Sequence, residues 1–386
     1  MLKRLVASFL PNHMRREIKE LFASTLILNF GIMMIQLFEP IYLYEIGYSL
    51  LWIVGFFFII YLTYFLTLPI GANFARVYGY EKSLVVSSVI LVLYYIVFYF
   101  IRELPLLFFI APVINALYRA FYWPAFHADF ARYTQPDEEG REVGSVWVAI
   151  ASVAVLAPLT AGVILEFWGF GALFAFASVL FVLSNIPLLT TKEVRKAEEF
   201  SYREAYRILF ARGMRRRFFG YLGYGEEIIA VVVWPVFLAV VVVDFLNIGA
   251  IVSLGLFISV AVTLSIGRLA DLKNRHSILH VGSIVYSVVW FCRLFARTVW
   301  GVFLVDASSR ATKTVIEVPL YALLYDRAKH HKIMQSVAFF ELTLVLAKLL
   351  TLSVLFVLLL FMPDGVVYQT AFVLGGHGDS MVPLIR

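Results

Sequence analysis

The apolar residues of this chain fall into long unbroken runs, not into the alternating or one-faced patterns of half-buried elements. Eleven runs stand out, at approximately 21–43, 49–72, 83–101, 105–126, 145–166, 170–190, 218–243, 248–267, 277–296, 299–323 and 336–361. A helix needs about 20 apolar residues to cross a hydrocarbon core about 30 Å thick, and most of the runs meet that length. Hydrocarbon offers a backbone no hydrogen-bond partner, so runs of this kind must be helices. The pattern predicts an all-α polytopic membrane protein.

The gaps between runs set the orientation. Gaps on the amino-terminal side hold 24 Lys and Arg, among them Arg76, Lys82, Arg268, Lys273 and Arg275, whereas the alternate gaps hold only Arg102 and Arg297. Cytoplasmic segments carry such an excess, which predicts a multi-pass protein of the cytoplasmic membrane with its amino terminus inside the cell. Composition agrees: 62% of residues are hydrophobic and mean hydropathy is +0.87, against about 45–50% apolar residues in a soluble domain. The net charge of +6 then reflects topology, and no nucleic-acid partner follows from it. Residues 1–19 are basic then apolar without a cleavage site, and read either as an interfacial helix or as a frayed tail. A lone cysteine, Cys292, excludes an internal disulfide and a cysteine-rich metal site. No metal and no cofactor is expected.

The longest interruption, 191–217, divides the chain into an amino-terminal bundle over 1–190 and a carboxy-terminal bundle over 218–375. Within it Ser201 and Glu204 have capping-box spacing, and Tyr202, Ala205, Tyr206 and Leu209 follow on one face, which predicts an amphipathic helix on the cytoplasmic surface. The gap after the second run, from Gly71 through Arg76 and Gly79, resembles the gap after the eighth, Gly267-Arg268-Leu-Ala-Asp271-Leu-Lys273-Asn-Arg275. Related sequence at equivalent places in the two halves marks an internal parallel repeat. A glycine turn with an acid at a helix end and bases beyond it can act as a gating latch.

These residues resemble the major facilitator superfamily. Gly267-x-x-x-Asp271 with Arg275 looks like that family's loop motif. Leu272 and Asn274 depart from it, and in the first copy Ala75 replaces the acid. Arg119 sits where the family has an intramembrane arginine, Pro158 with Gly162 looks like its glycine-proline motif, and Gly169 and Gly171 fit as well. The resemblance covers roughly residues 20–375. It implies two six-helix bundles related by pseudo-twofold symmetry and a monomeric carrier working by alternating access.

Ionisable groups at the bilayer centre cost about 2.5–3.5 kcal/mol on insertion scales, so they point to a cavity or a partner. In the tenth run Asp306, Arg310, Lys313 and Glu317 share one helical face, with neighbours in ion-pair reach. Neutralisation within that stripe is as good a reading as a cavity lining. Glu341 and Lys348 share a face in the eleventh run, while Arg119 and Arg293 are single bases needing an acid from elsewhere. Asp306 is a candidate partner for Arg293. Glu226 and Glu227 follow Gly220, Gly223 and Gly225, and a carboxylate there without a neighbouring base would suit proton coupling. Asn29, Gln36 and Glu39 give the first run a polar face, explained equally by solute contact or by helix packing.

The carboxy terminus departs from this scheme. Val373-Leu-Gly375-Gly376-His377-Gly378-Asp379-Ser380 resembles the active-site segment of malate and lactate dehydrogenases, in which the histidine is the acid/base group. No dinucleotide-binding glycine motif after a strand accompanies it. Residues 376–386 therefore read as a foreign tail and the twelfth helix as truncated. Three readings follow: a secondary active transporter of a small solute, driven by protons or by the solute's own gradient; a membrane-embedded enzyme or lipid-handling protein; and a nonproductive truncated chimera. The scattered histidines weigh against the second.

Overall fold

The computed structural model describes residues 16–133, 139–188, 206, 207, 209, 215–272, 275–330 and 333–379, and side chains for most of them. Every described element is helical. Helix α1 comprises Arg16–Gln36 and Phe38–Glu45, α2 is Leu50–Tyr78, α3 is Tyr80–Tyr99 and α4 is Leu107–Tyr133. The stretch Glu139–Leu183 breaks at Gly169, whose φ of 76° only glycine adopts readily, and so forms two helices, α5 and α6. Helix α7 runs Arg215–Leu222, tightens to a 3₁₀ turn at Gly223–Glu226, widens to a π turn at Ile229–Val233 and resumes as Trp234–Val242. Then come α8 (Phe245–Leu272), α9 (Arg275–Cys292), α10 (Val299–His330), α11 (Ile333–Phe361) and α12 (Asp364–Asp379). Seven described stretches are long and apolar enough to cross a membrane. Helices α4 and α10, rich in polar groups, are not among them.

The helix pairings repeat with an offset of six. Helix α2 packs on α4 as α8 packs on α10, α3 on α4 as α9 on α10, and α1 on the α5–α6 hairpin as α7 on α11 and α12. Between halves, α2 meets α11 and α8 meets α5, contacts that the same exchange interconverts. The internal repeat expected from the paired gaps is therefore a packing repeat, and the chain is an all-α polytopic membrane protein of two six-helix bundles. Glycines permit the closest approaches. A Cβ on Gly249 of α8 would stand 2.4 Å from the Pro158 carbonyl oxygen of α5, and one on Gly162 would stand 2.7 Å from that of Phe245. Ser253 also accepts a hydrogen bond from the Leu159 amide at 2.9 Å across this seam.

Three expectations change. The first run is not one straight helix, because regular α-helix lapses at Leu37. Gly71 and Arg76 lie inside α2, not in a loop. A Cβ on Gly71 would fall 1.9 Å from the Ala120 carbonyl oxygen of α4, and Arg76 holds Asn73 one turn earlier at 2.9 Å. Gly267, Asp271 and Arg275 lie at the α8–α9 corner, where side chains are outside the described residues, so the latch expected there is untouched. Thirdly, α12 continues through Gly375, Gly376 and His377 to Asp379. Its 16 described residues span about 24 Å at 1.5 Å each.

Two glycines seat this helix. A Cβ on Gly375 would lie 2.6 Å from the Trp290 ring of α9, and one on Gly376 would lie 2.9 Å from the Phe291 ring. Replacing Gly375 with leucine should lower stability by about 1–3 kcal/mol through overpacking. Thermal unfolding of detergent-purified protein reads this directly, and an unchanged midpoint would show that α12 does not rest on α9.

Of the proposed linker helix, Ser201, Tyr202 and Glu204 lie outside the described residues, but Tyr206 and Leu209 dock inward. Pro69 in α2 has no N–H, which frees the Phe65 carbonyl four residues earlier. The Tyr206 hydroxyl donates to that carbonyl at 2.8 Å, so the linker satisfies a backbone acceptor that the proline leaves open.

Candidate functional site

The irregular stretch of α7 places two carboxylates toward two different helices. Regular α-helix would splay adjacent side chains by about 100°. Here the 3₁₀ turn ending at Glu226 leads into Glu227 just before the π turn. Glu226 pairs with Lys313 of α10 and is buried. Glu227 pairs with Lys348 of α11 at 2.7 Å. The expectation that these glutamates lack a neighbouring base is overturned, because tertiary packing brings one lysine to each. Glycine lets α7 come this close: a Cβ on Gly225 would meet the Ala347 carbonyl oxygen of α11 at 2.8 Å.

The four-residue stripe of α10 faces inward, as its spacing predicts, but its members mostly look outward from their own helix for partners. Within the stripe Asp306 and Arg310 pair with each other, at 2.6 Å. Lys313 also lies 3.7 Å from the Tyr224 ring centroid, and Tyr224 donates to Glu317 at 2.9 Å. Asp306 accepts from the Trp234 indole at 2.9 Å. It does not pair with Arg293 as expected. Arg293 is buried instead between two indoles, 3.5 Å from Trp290 and 4.6 Å from Trp234, and donates to Ser309 at 2.6 Å. A guanidinium between aromatic faces gains cation–π energy without a carboxylate.

Glu341 and Lys348 share a face of α11, and both reach across the molecule. Glu341 accepts from Tyr64 of α2 at 2.8 Å and sits 3.2 Å from His127 of α4. These contacts tie the two halves through one buried acid. Sequence reasoning missed His127, a single histidine in a helix with no motif around it. It also left Glu39 out of the site, although Glu39 is buried and accepts from Tyr95 at 2.5 Å. Asn29 turns back on its own helix, donating to the Thr25 carbonyl at 2.8 Å.

Several of these groups keep solvent exposure although they are paired, Glu227, Lys348 and Lys313 with facing helices and Arg310 within α10. The side chains of Glu227, Arg310, Lys348 and Lys313 are 31, 27, 14 and 12% exposed. Partial exposure in groups that are already paired means that they border an internal polar space, as an intramembrane charge requires. Arg119 of α4 and Tyr61 of α2 adjoin the same space: the Arg119 guanidinium lies 5.4 Å, and the Lys348 ammonium 5.3 Å, from the Tyr61 ring centroid. No group of three or more potential metal ligands occurs among the described residues.

Comparison with known proteins agrees with this architecture. A family model described as Major Facilitator Superfamily matches residues 21–341, and the chain belongs to that superfamily. It is thus a multi-pass membrane transporter, not an enzyme. Among solved structures, a D-xylose-proton symporter superposes with a TM-score of 0.70 at 13% identity, covering 95% of this chain and 96% of its own. A fucose:proton symporter of E. coli gives 0.65 at 12% identity, with 96% of each chain covered. At these identities the likeness is one of fold. No curated protein matches the chain in sequence.

Proposed function

We propose that the chain moves a small polar solute across the cytoplasmic membrane by alternating access, coupled to protons through Glu226. One observation carries this reading: two carboxylates at the irregular segment of α7 each hold a lysine from another helix, at the border of the internal polar space. Protonating Glu226 removes its attraction for Lys313 and with it the tie between α7 and α10. A ligand or proton shifts a conformational equilibrium only by its differential affinity for the two states, and breaking an ion pair supplies such a difference. The adjoining 3₁₀ and π turns give α7 a place to bend without breaking regular helix. The proton symporters among the structural relatives accord with this mode. The Lys and Arg count supports a cytoplasmic amino terminus.

Besides the α2–α11 and α5–α8 seams, which run along the helices, the halves meet in two further groups of contacts. The Phe38–Glu45 segment of α1 packs on Trp234–Val242 of α7, and the Phe38 and Phe245 rings meet at 6.3 Å. Nearer the opposite ends, Glu341 joins α2, α4 and α11. Rocking of the bundles about the central charges would loosen one group while the other holds.

Proteoliposomes loaded with a pH-sensitive dye test the coupling. Lactate, succinate, glycerol phosphate, inorganic phosphate and xylose would be supplied in turn. At least one should drive proton movement in the wild type, and Glu226→Gln should exchange that solute without moving protons. Undiminished proton coupling in Glu226→Gln would refute the assignment, and loss of coupling only in Glu227→Gln would move it to the neighbouring carboxylate.

A further inference from the structure

Among the described residues, the bases that border the internal space have an acid beside them, with Arg119 the exception; Arg293 lies apart, buried between two indoles. Arg310 has Asp306, Lys313 has Glu226 and Lys348 has Glu227. Arg119 has no ion-pair partner among the described residues: its Nε donates to Asn115 at 2.7 Å, and its guanidinium stands over Tyr61. Glu39 lies within electrostatic range but beyond ion-pair distance, and its carboxylate is engaged by Tyr95. Arg119 is not fully buried, and its terminal nitrogens have no acceptor among the described residues, which leaves them available to a group entering the polar space.

The repeat shows what is missing. Helices α4 and α10 occupy equivalent places in the two halves, and each presents an arginine whose Nε donates to the side chain four residues earlier. In α10 that residue is Asp306, at 2.6 Å; in α4 it is Asn115, at 2.7 Å. The Nε contact is alike, Arg310 adds a second one from a terminal nitrogen to Asp306 at 3.2 Å, and the charge differs by one. The carboxy-terminal copy neutralises its arginine internally, whereas the amino-terminal copy leaves a full positive charge at a membrane-embedded cavity. Lys348 is in electrostatic reach of that charge, and its own acid, Glu227, balances only one of the two.

We infer that Arg119 is the anchor for an oxyanion on the transported solute, a carboxylate or a phosphate, held by the guanidinium fork beside Tyr61 with Asn115 fixing its orientation. A planar fork with free terminal nitrogens matches two oxygens of such a group at once. Asn115 suits the task because it orients the arginine without competing for its charge. This inference rests on the transport reading above and names the chemical class of its solute.

The test is equilibrium binding to the full-length protein in nanodiscs, read as ligand-dependent thermal stabilisation. The probes are lactate, succinate, inorganic phosphate and glycerol phosphate, with xylose and glycerol as uncharged comparators. At least one anion should stabilise the wild type, the carboxylate and phosphate arms showing which oxyanion is preferred. Arg119→Gln should weaken that anion about tenfold or more, and Arg119→Lys should retain part of the affinity. Asn115→Asp, a substitution of nearly the same shape, should weaken it comparably by giving Arg119 the internal acid that Arg310 has. Stabilisation by xylose or glycerol alone, by no probe at all, or equal anion affinity in Asn115→Asp would overturn the inference. Xylose-driven proton movement would leave proton coupling standing while removing the anion site. Arg119-dependent anion binding without any proton movement would do the reverse.

Discussion

Glu226→Ala should destabilise the purified protein by about 3 kcal/mol or more and abolish proton-coupled uptake. Removing one member of a buried ion pair leaves the other charged and uncompensated, a loss of about 3–5 kcal/mol. Lys313 keeps 12% side-chain exposure and an aromatic neighbour in Tyr224, which places the effect at the lower end of that range. Replacing both partners with apolar groups of similar size, as in Glu226→Leu with Lys313→Met, should restore most of the stability while leaving coupling absent. Thermal unfolding and dye-reported proton movement on the same preparations separate the two effects. If Glu226→Ala were as stable as the wild type, the pair would not be buried as described. If the double variant still moved protons, coupling would lie elsewhere.

Gly71→Val should be as damaging, for a reason unrelated to charge. A Cβ at this position would stand 1.9 Å from the Ala120 carbonyl oxygen, 2.3 Å from its carbon and 2.9 Å from the Phe121 nitrogen. All three are backbone atoms of α4, so no side chain can swing aside and the helices themselves must part. The Phe121 carbonyl is also tied to Ser83 of α3 at 2.7 Å, so the displacement would spread to a third helix and shift Arg119 beside it. Overpacking of a core ordinarily costs about 1–3 kcal/mol, and a backbone collision of this depth should exceed 3 kcal/mol. The expected readout is poor recovery of folded protein, with Gly71→Ala intermediate. An Ala variant with an unaltered unfolding midpoint would mean that α2 and α4 are not in contact here.

The charged stripe on α10 illustrates how far the chain could be read. Spacing alone put Asp306, Arg310, Lys313 and Glu317 on one inward face, because helical periodicity is local. Pairing along the stripe and a cavity lining were equally open readings, and the pairs form mainly across helices, since an ion pair forms with whichever opposite charge packing brings near. The same limit misassigned Arg293, for which two tryptophans took the place of an acid. His127 carried no sequence signal, because its partner is more than two hundred residues away. The glycines of α12 were judged by helix propensity, which describes an isolated helix, whereas here Trp290 and Phe291 occupy the space that their missing side chains leave.

By itself the sequence determined that the chain crosses the membrane repeatedly as helices, that its halves repeat, and which polar groups had to avoid lipid. Those follow from a solvent that cannot hydrogen-bond a backbone or solvate a charge. Only the tertiary structure decided the partners: Lys313 for Glu226, Lys348 for Glu227, His127 for Glu341, and none but a neutral amide for Arg119. Pairing depends on distances between helices far apart in the chain, and local periodicity holds no information about them.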